Sequence, residues 1–261
     1  MSRSSAEVFG APVCVSLATH DLDAAEGFYG DVLGWRFRRS RLGEEFRVAC
    51  ADDIPVAGIA AVVPRLGVPM AWTPYFAVAD ADETASRIRE RGATTAVGPL
   101  AFATGRAALA ADRDGAVFGF WEGEIGPERW PDRDGPVGVE LKARDAFAAA
   151  VFYGEVLDWA AERPGSLDVA YEQDHVVVRH HNRTVARIDA GAVEAAPDPR
   201  TRPRWEVHFA VPDLDEAADR AVRGGGAIAG PVSTSPTERR VTLNDWAGTP
   251  FTVTEATTTR P

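Results

Sequence analysis

Phe28-Tyr29-Gly30-Asp31-Val32-Leu33-Gly34-Trp35 and Phe152-Tyr153-Gly154-Glu155-Val156-Leu157-Asp158-Trp159 are one motif written twice in one chain. Six of the eight positions are identical, and Asp31 and Glu155 exchange one carboxylate for another, at an offset of 152 − 28 = 124. Self-similarity at this distance marks a duplicated structural unit. The likeness extends upstream, where Val15-Ser16-Leu17 and Asp21 match Val139-Glu140-Leu141 and Asp145. Downstream, Trp72, Phe76-Ala77-Val78 and Asp80-Ala81-Asp82-Glu83 match Trp205, Phe209-Ala210-Val211 and Asp213-Leu214-Asp215-Glu216, now at 205 − 72 = 133. Gly98-Pro99 answers Gly230-Pro231, and Gly115 answers Gly248. The larger offset reflects a polar, Pro-rich insert from Ala195 to Pro203 in the second copy. The chain therefore reads as two domains, 10–124 and 136–257, with a linker at 125–135 that contains Pro127 and Pro131.

Each copy divides again. An alternating apolar run at Pro12 to Ala18 precedes apolar residues at Leu22, Ala25, Phe28 and Val32, whose spacing predicts a helix with Asp21 as its N-cap. Short β-type runs follow at Arg36 to Arg39, Glu45 to Ala51 and Val56 to Val63. The cycle restarts with a strand at Tyr75 to Ala79 and a helix opened by the capping box Asp80-x-x-Glu83 and ending near Gly92. Arg106 to Ala111 and Ala116 to Trp121 close that unit as strands around the Asp114-Gly115 turn. Strand, helix and several strands thus recur four times, from about residues 12, 72, 136 and 205. Units of this size are too small to bury a sheet alone, so they must pair.

Composition narrows the function. The 261 residues carry 28 Lys and Arg against 39 Asp and Glu, a net charge of −11 with no basic run, which argues against nucleic acid and anionic membrane surfaces as partners. No apolar run reaches the length of a membrane span, and the first residues lack a signal-peptide core, so a cytoplasmic location is expected. Cys14 and Cys50, the only cysteines, are too few for a disulfide framework or a four-cysteine zinc site.

The doubled Phe-Tyr-Gly-x-Val-Leu-x-Trp motif, the Asp-Leu-Asp-Ala-Ala helix start and the trailing strands resemble the vicinal oxygen chelate superfamily, which includes glyoxalases, bleomycin-resistance proteins and extradiol dioxygenases. Trp72 to Val78, Trp-x-x-Tyr-Phe-Ala-Val, is similar to the opening of the second module in four-module actinobacterial members. The resemblance covers nearly the whole chain. It implies an α+β fold in which four βαβββ modules pair into two cupped mixed sheets, each enclosing a cavity suited to a small molecule.

In metal-using members each cup carries His or Glu ligands at the first strand and a late strand of each module. Carried over residue by residue, the first-cup places hold Cys14, Thr73, Gly119 and a residue near Gly58 or Ala60. The second-cup places hold Gly138, Thr252, Glu206 and, nearby, Arg187. A tightly held divalent ion needs at least three good ligands, so no metal and no other cofactor are expected. By the two-residue period of strands, Glu140 and His208 share faces with Gly138 and Glu206. Glu140, Glu206 and His208 are thus candidate catalytic groups, the His as base and a Glu as orienting or acidic group. A His within Val207-His208-Phe209-Ala210-Val211 is more often a satisfied core residue, and a Glu on a strand is more often solvated.

Cys14, Ser16, Trp72, Thr73, Tyr75, Gly119, Trp121 and Thr252 are the candidate substrate-binding residues, with Trp72, Tyr75 and Trp121 offering aromatic surface to a planar ligand or, equally, to the core. Cys14 lacks a neighbouring His or Lys in sequence and reads as a small buried thiol. Trp35 and Trp159 are expected in the core, His20 at the surface, and His180-His181-Asn182 in a solvated hairpin turn. Three functions follow: a binding or auxiliary biosynthetic protein for an aromatic or polyketide-like metabolite, a metal-independent lyase or isomerase, or a metal-dependent glyoxalase or dioxygenase. The expected partner is a small molecule, and the duplication suits a monomer, with a homodimer as the alternative.

Overall fold

The computed structural model describes residues 8–124, 137–159, 161, 166–173, 175–194, 196–198 and 201–256. The linker expected at 125–135 lies outside these residues, as do Ala195, Pro199 and Arg200 of the insert. The first module is β1 (Pro12–Ala18), α1 (Leu22–Leu33), β2 (Arg36–Ser40), β3 (Gly43–Ala51) and β4 (Ile54–Ala60). After one helical turn, α2 (Val63–Leu66), come β5 (Ala71–Val78), α3 (Ala81–Glu90), β6 (Thr94–Phe102), β7 (Gly105–Ala111) and β8 (Val117–Gly123). The third module is β9 (Val137–Lys142), α4 (Ala146–Val156), β10 (Asp168–Glu172), β11 (His175–His180) and β12 (Arg183–Asp189). The fourth is β13 (Arg204–Ala210), α5 (Leu214–Arg223), the short β14 (Ala227–Ile228) and β15 (Ser233–Thr234), β16 (Glu238–Asn244) and β17 (Pro250–Ala256).

The four long helices start the same way. Asp21, Asp80, Asp145 and Asp213 each sit in extended backbone and accept a hydrogen bond from the N–H three residues on, at 2.8 to 3.0 Å. Each carboxylate satisfies a helix-end donor and places negative charge where the helix dipole favours it.

Two mixed sheets result, an α+β fold in two halves. One has the order β2-β3-β4-β1-β5-β8-β7-β6, the other β10-β11-β12-β9-β13-β17-β16-β14. Their parallel pairs repeat in register: Ser16 faces Gly58 as Glu140 faces Arg187, and Tyr75 faces Gly119 as His208 faces Thr252. Along β1, β9 and β13 one set of alternate residues is buried, including Val15, Leu17, Val139, Leu141, Val207 and Phe209, while the other keeps partial access except at Pro12 and Glu140. This alternation separates a helix-covered face from an open one.

Among the described residues, the chain gathers into two compact units. One comprises 8–14, 74–124 and 139–205, the other 15–73, 137–138 and 206–256. In the first, α3 packs against α4 over an aromatic core of Phe76, Phe118, Phe152, Tyr153, Trp159 and Trp205. Tyr153 is fully buried; its hydroxyl accepts from Trp205 Nε1 at 2.9 Å and donates to Asp112 Oδ2 at 2.9 Å. The second unit repeats the device with α1 against α5. Tyr29 accepts from Trp72 Nε1 at 2.9 Å and donates to Asp245 Oδ2 at 3.0 Å, amid Phe28, Trp35, Phe209 and Phe251. Burial holds both carboxyls above their ordinary range, and the hydrogen bonds they accept offset only part of that rise.

Two sequence expectations need correction, and one strand was not anticipated. Val63 opens the turn α2, with Pro64 at its N-terminus, and does not extend a strand. β6 went unread because Gly98-Pro99 punctuates it; its register shifts between Thr95 and Val97 and again before Leu100. His181 and Asn182 do form the hairpin turn, with His181 at φ +52°, but His180 is buried and its ring packs 4.2 Å from that of His181.

Candidate functional site

On the open face of the first unit stand Cys14 on β1, Tyr75 on β5, and Gly119 and Trp121 on β8. Tyr75 is in register with Gly119 and Ala77 with Trp121, while β7 continues the rows with Leu109 beside Gly119 and Ala107 beside Trp121. The Tyr75 ring lies flat on Gly119: a Cβ there would sit 2.3 Å from Tyr75 Cδ1 and 2.4 Å from Cε1. Gly119 is thus a glycine because a ring occupies the space of its side chain. The Trp121 indole is stacked by Phe102, centroids 5.9 Å apart, and its Nε1 borders Gly105, where a Cβ would come within 2.9 Å. Trp121 Nε1 is buried and has no hydrogen-bond partner among the described residues.

Cys14 and Tyr75 keep some accessible surface yet are surrounded by protein, as expected of side chains lining a recess. Burial pushes the Cys14 thiol up to about 12 and raises Tyr75 as well, with Cys14 adding to the rise through its charge. Both are therefore neutral near pH 7, and Cys14 lacks the thiolate character of a nucleophile.

Trp72 does not share this surface with Tyr75 and Trp121. It stands an odd number of residues from Tyr75 on the same strand, so it faces the other way and enters the core with Tyr29 and Phe209. Thr73 is buried. Ser16 lies opposite Gly58, with its Oγ 3.3 Å from where a Gly58 Cβ would be. Trp35 and Trp159 are core residues, Trp159 donating from Nε1 to the Gly10 carbonyl at 2.7 Å, and His20 is exposed.

The second copy differs chemically at the same places. His208 and Thr252 stand where Tyr75 and Gly119 do, and Thr242 replaces Leu109; Thr252 Oγ1 is 3.2 Å from Thr242 Oγ1. His208 Nε2 is 3.9 Å from Glu206 Oε2, and Gly138 lies beside the His208 Cβ. Glu140, 5% exposed, forms an ion pair with Lys142, whose Nζ also donates to Asp189 Oδ2 at 2.8 Å. Burial and the neighbouring Glu140 raise Asp189 despite Lys142. Lys142 is itself pulled down by burial but raised on balance by the two carboxylates. Next to Glu140 in register, Arg187 meets His175 Nε2 at 3.0 Å. Sequence reading found Glu140 but missed Lys142 and Asp189. A lysine two residues along the same strand was the available signal for the first, since strand period places it on the same face.

Comparison with known proteins fits this fold. Residues 138–254 match the model of a glyoxalase-like domain, and residues 13–46 that of a bleomycin resistance protein-like N-terminal region. The chain is 30% identical over 264 residues to the anthracycline biosynthesis protein DauV of Streptomyces sp. (strain C5), covering 94% of this chain and 93% of the relative. It belongs to the vicinal oxygen chelate superfamily.

DnrV of Streptomyces peucetius, also an anthracycline biosynthesis protein, matches at 30% identity with the same coverage. Among solved superfamily structures, a homoprotocatechuate 2,3-dioxygenase variant from B. fuscum aligns with TM-score 0.58 at 15% identity, over 97% of this chain and 73% of that one. The Mn(II)-bound glyoxalase from Novosphingobium aromaticivorans aligns with TM-score 0.54 at 16% identity, over 95% of this chain and 82% of that one. These likenesses show the fold.

The residues here do not fit the metal of such superfamily members. At Gly119 any side chain would meet the Tyr75 ring, Gly58 has no donor side chain, and Cys14 and Thr73 offer only a thiol and a hydroxyl. In the second copy, Gly138, Arg187 and Thr252 leave Glu206 as the one carboxylate among the superfamily's places. Among the described residues, no group of three or more His, Cys, Asp or Glu gathers to hold a metal. Nor is any described helix long and apolar enough to cross a membrane.

Proposed function

We propose that this protein binds a planar aromatic or polyketide-like metabolite, in a sequestering or auxiliary biosynthetic role, acting in the cytoplasm as a monomer or homodimer. The observation that carries the reading is the open face of the first unit, where Tyr75 lies on a bare Gly119 beside Trp121 and no charged side chain interrupts the rows Tyr75-Gly119-Leu109 and Ala77-Trp121-Ala107. Flat apolar surface with a few polar tips suits a ring system, whose burial supplies affinity while the tips set orientation. The relatives named for anthracycline biosynthesis support a polycyclic ligand of that general kind. The test is equilibrium binding of an anthracycline aglycone. Saturable binding that weakens at least tenfold in Tyr75→Ala supports the reading, and absence of binding refutes it.

A second reading draws on the other copy. His208 beside Glu206, and Glu140 held by Lys142, are groups suited to proton transfer in a metal-independent isomerase or lyase. Turnover of the bound compound that is abolished by Glu140→Gln or His208→Asn would favour it over binding alone.

A further inference from the structure

On the open side of β5, β7 and β8, the rows Tyr75-Gly119-Leu109 and Ala77-Trp121-Ala107 present neutral donors and no charged side chain. The Tyr75 hydroxyl makes no hydrogen bond among the described residues, and the Trp121 indole N–H is buried without a partner there, although Trp121 is 8% exposed overall. The Cys14 thiol lies close enough to Tyr75 to oppose its ionisation. Around these groups, Ala77, Ala107, Leu109 and Gly119 bring no polar side chain. At the same places the second copy has Ala210, Arg240, Thr242 and Thr252, so the apolar set is a feature of this copy and not of the fold.

We infer that this face recognises its ligand through carbonyl oxygens of a quinone or aryl ketone, with the Tyr75 hydroxyl and the Trp121 indole N–H as donors. The inference rests on the binding role proposed above and specifies what the ligand must carry. An anionic group would need a cation to offset its desolvation, and these rows have none. A cationic group would need a carboxylate to offset its desolvation, and these rows hold none. A pure hydrocarbon would leave both donors unmade in an apolar setting. A carbonyl oxygen conjugated to a flat ring satisfies the donors without bringing a charge. Because burial keeps the phenol and thiol protonated, recognition is constant from about pH 6 to 9. Phe102, half-buried at the β6–β7 turn, is stacked on the Trp121 indole that the ligand must reach.

Two uncharged probes of one shape decide it: 2-(hydroxymethyl)anthraquinone and 2-(hydroxymethyl)anthracene, compared by equilibrium dialysis against the full chain. The expected result is a preference of about tenfold for the quinone, reduced roughly three- to tenfold in Tyr75→Phe and in Trp121→Phe through weaker quinone binding alone. On the unsubstituted protein, the quinone should move one tryptophan indole N–H proton resonance downfield and the hydrocarbon should not, a readout independent of whether the variants fold. Equal affinity for the two probes, or a quinone preference unchanged in both variants, overturns the inference and leaves the binding role standing. Failure of both probes and of the anthracycline aglycone to bind removes the binding role, and the inference with it.

Discussion

Gly119→Ala adds one methyl group, and the structure says where it goes. The new Cβ would lie 2.3, 2.4 and 2.7 Å from Cδ1, Cε1 and Cγ of Tyr75, whereas ordinary contact begins at 3.4 Å, so the ring must withdraw by about 1 Å. Overpacking of this kind costs about 1 to 3 kcal/mol. Against it stands the gain from replacing glycine in a strand, about 0.5 to 1 kcal/mol, available because Gly119 does not use a glycine-only backbone conformation. The net expectation is a loss of roughly 1 to 2 kcal/mol. In a Tyr75→Ala background the obstruction is gone and only the backbone gain remains, so the same substitution should stabilise by about 0.5 kcal/mol or more. The coupling between the sites is therefore about 2 kcal/mol, with a change of sign between backgrounds. Urea unfolding of the four proteins, followed by far-ultraviolet circular dichroism, measures it. Equal effects of Gly119→Ala in both backgrounds would show that the ring does not rest on this glycine, and the explanation of the missing late-strand ligand would fail.

Tyr153→Phe strands the Trp205 indole N–H and the Asp112 carboxylate in a buried core and should cost about 2 to 4 kcal/mol in urea unfolding, as should Tyr29→Phe through Trp72 and Asp245. Asp112 and Asp245 titrate above their unfolded value of 3.8, so the stability they contribute is full below that pH and is lost as pH rises through the folded value. Stability curves of wild type and Asp112→Asn should accordingly move in the variant's favour as pH rises above 3.8, and the opposite trend would contradict the assignment. Lys142→Met leaves buried Glu140 facing Asp189 without a cation and should destabilise by about 3 kcal/mol, much of it recovered when Glu140→Gln is added. Unfolding midpoints that show no recovery would mean the two residues act separately.

The fold was legible because its punctuation is local and repeated. Aspartate caps at 21, 80, 145 and 213 and the doubled aromatic helix state where each module starts, and these depend on sequence neighbours alone. For the site, the superfamily resemblance supplied Cys14 and Gly119, and parity along β8 added Trp121. Trp72 was offered equally as ligand surface and as core, and its odd spacing from Tyr75 puts it in the core. What sequence reading did not supply was partnership between distant strands. Asp245 under Tyr29, Asp112 under Tyr153 and Asp189 beside Lys142 are 216, 41 and 47 positions from their partners. Short-range periodicity carries no information about such pairs.

The two copies record separate demands on the two faces of the same strands. On the helix side, tyrosine, tryptophan and aspartate recur with the same donors and acceptors in both units. Loss of any member there leaves a buried polar group unpaired, so the arrangement resists change one residue at a time. On the open side, equivalent places hold Tyr75 and His208, Gly119 and Thr252, Leu109 and Thr242, Ser16 and Glu140, Gly58 and Arg187. None of these side chains belongs to the Tyr-Trp-Asp networks, so each copy can change its chemistry here without unpairing them, and Glu140 has acquired buried partners of its own in Lys142 and Asp189. One holds the uncharged rows Tyr75-Gly119-Leu109 and Ala77-Trp121-Ala107, and the other ion pairs around Glu140. Such divergence is expected if the copies meet different molecules, or different parts of one, and a single ligand bound identically by both is the arrangement these residues least support.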